Sequence, residues 1–181
     1  LASLQINWAV VHNLAGEYHQ ALAAAQLARL RLARFAPIPP RQEALILQAM
    51  AEAHLGLGNL NEAAMYVQQV VDLEEVDVLT DAYCTFGQIQ AQRQQWDEAI
   101  EFVRLSIRLA TVHEDTYYIG YGWRVLGDIF CEAGRSAEAS DALHKALDLF
   151  RELNLERECQ RIEKKLHEFA VNSAEANVES K

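Results

Sequence analysis

Six histidines and three cysteines are the side chains in this sequence best suited to hold a metal or to act as nucleophiles, and their spacing favours neither role. His12, His19, His54, His113, His144 and His167 are scattered, with no H-E-x-x-H pair on one helical turn. Cys84, Cys131 and Cys159 are odd in number, far apart and free of any C-x-x-C spacing. That pattern suits reduced structural thiols better than a zinc site or a disulfide framework. The sequence also contains no G-x-S-x-G elbow, no phosphate loop and no G-x-G-x-x-G turn. No catalytic group has a partner at a meaningful spacing, so the expectation is a protein that is not an enzyme and needs no cofactor and no metal.

The charges form the other chemical signal. The net charge is −10, and residues 42 to 92 contain no lysine or arginine while carrying eight acids, among them Glu43, Glu52, Asp77 and Asp81. Such a surface repels phosphate backbones, so no nucleic acid is expected on this segment. The basic residues Arg29, Arg31, Arg34 and Arg41 cluster just upstream. No run reaches the ~18 apolar residues of a membrane helix, which implies a chain without a membrane span. With Leu1 at the start and no secretion signal, the chain reads as a segment of a larger cytoplasmic protein.

The elements that would position these side chains are helices. Glycine and proline are scarce, with eight and three copies, and all three prolines fall at Pro37, Pro39 and Pro40. A short pattern, G-x-x-x-[EQ]-A, recurs at Gly16–Ala21, Gly58–Ala63 and Gly134–Ala139. A fourth copy, Gln94–Ala99, lacks only the glycine, and the closing alanines are 42, 36 and 40 residues apart. Seven residues before each turn stands a small residue, Ala9, Ala51, Gly87 or Gly127. His12 and His54 share a repeat position with Phe130, which suits histidines packed at a helix end.

The copies predict helix pairs over about 2–14 and 18–35, 41–56 and 60–74, 77–93 and 96–112, and 116–132 and 136–152. Residues 154–171 predict a final helix whose single apolar stripe is Leu155, Cys159, Ile162, Leu166 and Phe169, with Asn154 as its N-cap. The tail, 172–181, lacks apolar periodicity and is expected to be disordered.

The stretch WRVLGDIFCEAGRSAEASDALHKAL, through Trp123, Leu126, Gly127, Phe130, Ala139, Leu143 and Ala146, resembles a tetratricopeptide repeat. Residues 49–73, 86–103 and 8–28 resemble it more weakly, through Ala51, Gly58 and Ala63, through Gly87, Trp96 and Ala99, and through Ala9, Gly16 and Ala21. The resemblance covers about 2–152, with repeats longer than the family's basic 34 residues, as in bacterial signalling and regulatory proteins. It implies an all-α fold: a right-handed superhelix, or solenoid, of four helical hairpins (about 2–35, 41–74, 77–112 and 116–152) closed by a capping helix.

The same resemblance implies a function, a protein-interaction scaffold whose groove is lined by the first helix of each pair. Carried over position by position, the groove residues are Asn13, Gln48, Glu52, Asp81, Gln88, Gln92, Tyr121, Arg124 and Asp128, with Ile6, Val10, Cys84 and Glu132 beside them. The lysines and arginine of a carboxylate clamp are missing, since the equivalent region offers Ile6, Val10, Ala49, Asp81 and Thr85. The expected partner is a protein or peptide that is basic or amide-rich, with an arginine or lysine opposite Glu52 and Asp128. The alternative is a sensory domain of a bacterial transcription regulator, one that binds a small effector or self-associates as a homo-oligomer.

Overall fold

The computed structural model describes the backbone of residues 2–34 and 37–179, and the side chains of 3–34 and 37–168. The described backbone is nine α-helices without a strand: α1 (Ala2–Leu14), α2 (Tyr18–Ala33), α3 (Pro40–Gly56), α4 (Leu60–Asp72), α5 (Val76–Gln92), α6 (Trp96–Val112), α7 (Thr116–Glu132), α8 (Ser136–Glu152) and α9 (Glu156–Glu179). The all-α class and the helix order follow the repeat pattern, with ends that move by a residue or two. No helix among the described residues is long and apolar enough to cross a membrane.

All the helices but α2 and α9 are followed by a residue with left-handed backbone. Gly16, Gly58 and Gly134 occupy this conformation at φ 76°, 76° and 73°. Gln94 replaces the missing glycine at φ 61°, and Glu74, Glu114 and Asn154 end the second helices of the pairs at 53°, 53° and 55°. The bonding is that of a Schellman turn: at the fourth pair, Gly134 N–H donates to Cys131 O at 3.0 Å and Arg135 N–H to Phe130 O at 2.8 Å. Asn154 is therefore the turn residue of α8 and not the N-cap of α9, a position held by Leu155, whose carbonyl accepts from Cys159 N–H. The prolines do not simply interrupt the chain: Pro39 is the N-cap and Pro40 the first residue of α3, where a missing N–H costs nothing.

The chain divides into two compact units, Leu1–Gln95 and Trp96–Lys181, cut in the turn of the third repeat. In the first unit α3 packs on α1, α2, α4 and α5. It is consequently buried on most sides, including at Ile46, Leu47, Met50 and Ala51. One cluster joins Ile6, Ala9, Ala25 and Ala28 to Ile46 and Met50; another joins Leu47 and Ala51 to Val67, Val70, Val78 and Ile89.

In the second unit α7 and α8 form the most extensive pairing, α6 lies along α7, and α9 covers α8. Leu143, Leu147, Phe150 and Ile162 are the core, with Leu155, Cys159 and Leu166 packed against it. The stripe of the capping helix thus faces α8, while the side chain of Phe169 lies outside the described ones. The expected end at 171 is overrun, because α9 continues to Glu179 and only residues 180–181 of the tail fall outside the description. The segment VNSAEANVE has no glycine or proline to stop a helix, and its alanines and glutamates favour one.

Candidate functional site

The first unit brings together groove residues from three repeats. On α3, Gln48 and Glu52 are one turn apart, and Gln48 Nε2 donates to Glu52 Oε1 at 2.9 Å. The same Nε2 donates to Thr85 Oγ1 on α5 at 2.8 Å, and Thr85 in turn donates to Asp81 O at 3.1 Å. From α1, Asn13 Nδ2 donates to Ala49 O at 2.9 Å and to Glu52 Oε2 at 3.1 Å. Asp81, on α5, adds a second acid whose environment includes the charge of Glu52.

The electrostatics are those of an acid pair with no counter-ion. Carboxylates are acceptors only, so neither acid supplies the other with a donor or a counter-charge. Burial raises the pKa of Asp81 well above its ordinary value, and the charge and hydrogen bond of Glu52 add to the rise. Burial also raises Glu52, against the opposing hydrogen bonds from Gln48, Asn13 and Asp81. Both acids keep part of their surface in solvent, so a ligand can reach them.

Two acceptors in this cluster have no donor. The amide oxygens Gln48 Oε1 and Asn13 Oδ1 are buried without a hydrogen bond, and Gln48 as a whole is only 3 % exposed. A buried polar atom left unpaired costs about 1–3 kcal/mol. Every open valence here asks for a donor, and none asks for an acceptor. Gln88 and Gln92 continue the same face of α5, half-buried and exposed respectively.

The other three expected groove residues belong to the second unit and are engaged internally. Arg124, only 7 % exposed, bonds Asp128 Oδ2 at 3.0 Å, lies 3.7 Å from Glu158 of α9, and stacks on Tyr121 at 4.8 Å. Asp128 also accepts from Lys165 of α9. Asp128 is thus already faced by two cations of its own chain, and the expectation that it awaits a partner's arginine is corrected. The sequence reading missed the pairing of Glu52 with Asp81 and the role of Thr85. It also missed the ion pairs of α9, although Glu158 and Lys165 flank the apolar stripe at a spacing that marks one edge of the helix.

The remaining chemical residues have structural partners. His12 bonds Glu17 at 2.6 Å and stacks on Trp8, and His54 stacks on Tyr66. Burial and the charge of Asp128 push the Cys131 thiol up to about 11, which keeps it protonated and unreactive at neutral pH. Among the described residues no three His, Cys, Asp or Glu side chains are grouped to hold a metal ion. A concavity of about 780 Å³ in the first unit is bordered by Leu30, Ile38, Met50 and Tyr66, and its charged pair, Arg29 and Glu43, is already joined at 2.7 Å.

No family model matches the sequence, and no curated protein matches it either. Among solved structures, the fold is similar to BtubC (BKLC) from P. vanneervenii, with a TM-score of 0.69 at 16% sequence identity. The likeness covers 86% of this chain and 66% of that one, so this chain spans about two thirds of its length. At that identity the likeness shows an all-helical fold and nothing of function.

Proposed function

We propose that this chain is a non-enzymatic interaction module of tetratricopeptide type that binds a basic or amide-rich peptide or protein segment. The observation that carries this reading is the cluster of Asn13, Gln48, Glu52 and Asp81, in which acceptors outnumber donors. A ligand bringing N–H groups would satisfy the two orphan amide oxygens and neutralise the acid pair at once. The acid-rich, lysine-free and arginine-free stretch 42–92 would steer a cationic segment toward it. A cytoplasmic regulatory setting fits such a module.

The test is fluorescence anisotropy with labelled peptides of equal length, one rich in arginine and glutamine and one rich in glutamate. The first should bind saturably and the second should not. The double variant Glu52→Gln/Asp81→Asn should weaken binding by about 2 kcal/mol, roughly thirty-fold. Equal binding of both peptides, or an unchanged affinity in the double variant, would sink the reading.

A further inference from the structure

The outer side of α1 carries an apolar stripe that stays half in solvent. Leu4, Trp8 and Val11 are each 50 % or more exposed, and α1 holds five of the twelve large apolar side chains that are exposed among the described residues. The same helix already gives Ile6 and Ala9 to the core beside α2 and α3. A helix apolar on both sides is ordinarily buried on both. No Asp, Glu, Lys or Arg occurs anywhere in α1 to hold its outer side in water.

The repeat register shows what such a stripe does elsewhere in the first unit. Counting from the small residue of each first helix, Leu4, Trp8 and Val11 correspond to Ile46, Met50 and Ala53 on α3 and to Ala82, Phe86 and Ile89 on α5. On α3 all three are buried, and Ile46 and Met50 lie against Ala25 and Ala28 of the preceding helix pair. On α5, Ala82 and Ile89 are buried in a core shared with Leu47 and Ala51 of α3, and Phe86 packs against it. Position for position, the outer side of α1 is a helix-stacking surface without its helix.

We propose that a second copy of this chain supplies the missing helix, so that two molecules pair through α1 about a two-fold axis. The stripe complements itself: Leu4 lies four residues before Trp8 and Val11 three after it, the spacing of a coiled-coil seam. With the two helices antiparallel and the axis passing near Trp8, the two indole rings meet at the centre and Leu4 of each copy meets Val11 of the other, as an isologous contact requires.

Charge favours this occupant. Two copies of a chain with net charge −10 repel each other across most of their surface, and α1 is the only described helix free of Asp, Glu, Lys and Arg, so it is where they can meet. A strongly charged partner would instead leave its charges facing Leu4, Trp8 and Val11 unpaired. A head-to-tail chain of copies is not offered, because the last helix of the repeats, α8, is already covered by α9. The 13 residues of α1 span about 20 Å, so the contact falls below the roughly 800 Å² per partner of a standard interface and the pairing is micromolar.

Sedimentation velocity at loading concentrations from about 1 to 500 µM reads the pairing, with an expected dissociation constant on the order of 10 µM. Trp8→Glu and Trp8→Lys should each keep the wild-type circular dichroism spectrum, since the side chain is half exposed, and each should weaken the pairing at least about tenfold. An equimolar mixture of the two should pair again, because the axis sets the introduced acid of one copy against the introduced base of the other. Leu30→Glu, at an exposed leucine of α2, should leave the pairing unchanged. Val11→Glu serves as the disrupting variant if the Trp8 variants do not fold. A wild type that stays monomeric over the whole range overturns the proposal and leaves the stripe to a helix of another segment. Dimers that persist in Trp8→Glu, or that are lost in Leu30→Glu, overturn the assignment to α1, and a mixture that stays monomeric overturns the two-fold at Trp8.

Discussion

Replacing Gly127 by leucine should damage the fourth helix pair far more than any change at Gly134, although both glycines lie in one 17-residue stretch, Trp123–Ala139. A Cβ added at Gly127 would stand 2.7 Å from both Cγ and Cδ2 of Leu143 and 3.4 Å from the Leu143 backbone nitrogen. Leu143 is fully buried beside Ala146, Leu147, Phe150 and Ile162, so it has no free direction in which to move. Alanine would recover about 1 kcal/mol of helix propensity and lose about 1–3 kcal/mol to overpacking, a net loss of roughly 0–2 kcal/mol. Leucine adds three more carbons at the same point and should cost about 3 kcal/mol.

At Gly134, by contrast, nothing lies within 4 Å of an added Cβ, and the cost is that of left-handed backbone at φ 73°. Asparagine tolerates that region, so Gly134→Asn should cost under about 1 kcal/mol. For a chain of this size 1 kcal/mol moves Tm by about 2–4 °C, which separates the two variants in a thermal melt followed by circular dichroism at 222 nm. Adding Leu143→Ala to Gly127→Leu should restore part of the loss, even though Leu143→Ala alone costs about 2–5 kcal/mol. Equal melting shifts for the two glycine variants, or strict additivity in the double variant, would refute the close-contact argument.

Two further outcomes follow from the turns and from the acid pair. Gln94→Gly and Glu114→Gly should each stabilise the protein, by about 0.5 kcal/mol, because release of the left-handed strain exceeds the entropy cost of glycine; a lower urea midpoint in either variant would contradict this. Because folding raises the pKa of Glu52 and Asp81, their contribution to stability is full below the unfolded values of about 4 and fades as pH rises through the folded values. Relative to Glu52→Gln/Asp81→Asn, the wild type should therefore gain in urea midpoint as pH is lowered from 8 to 5, and parallel profiles would refute the raised pKa values of the two acids.

The helix pairs were legible because their cause is local. Gly16, Gly58 and Gly134 mark the turns, and the small residues seven positions earlier mark where two helices must meet. At Gly127 the neighbour that requires the missing side chain is Leu143, one turn beyond the alanine the pattern singles out. Asn154 was misplaced because asparagine suits both an N-cap and a left-handed turn, and the sequence alone does not say which helix it serves. Glu74 and Glu114 gave no turn signal, since glutamate has no preference for that backbone. The site was half legible. The repeat register put Asn13, Glu52 and Asp81 on successive first helices, but neighbours among them are 29 or more residues apart in the chain, and whether each acid finds a cation there depends on helix rotation.

That dependence can be followed inside the molecule, because the second and fourth repeats place different residues at equivalent positions. Counting from the small residue of each first helix, Glu52 corresponds to Asp128 and Gln48 to Arg124. In the fourth repeat the base one turn before the acid bonds it at 3.0 Å, and Lys165 of α9 adds a second cation. The result is a neutralised acid in the service of the capping helix. In the second repeat the residue one turn before the acid is an amide, which donates to Glu52 at 2.9 Å but brings no charge, and the next helix adds Asp81. One geometry thus yields a closed ion pair in one unit and an acid pair open to a cation in the other. The difference lies in glutamine against arginine at one position, which is why the ligand seat is assigned to the first unit although the fourth repeat carries the clearest pattern.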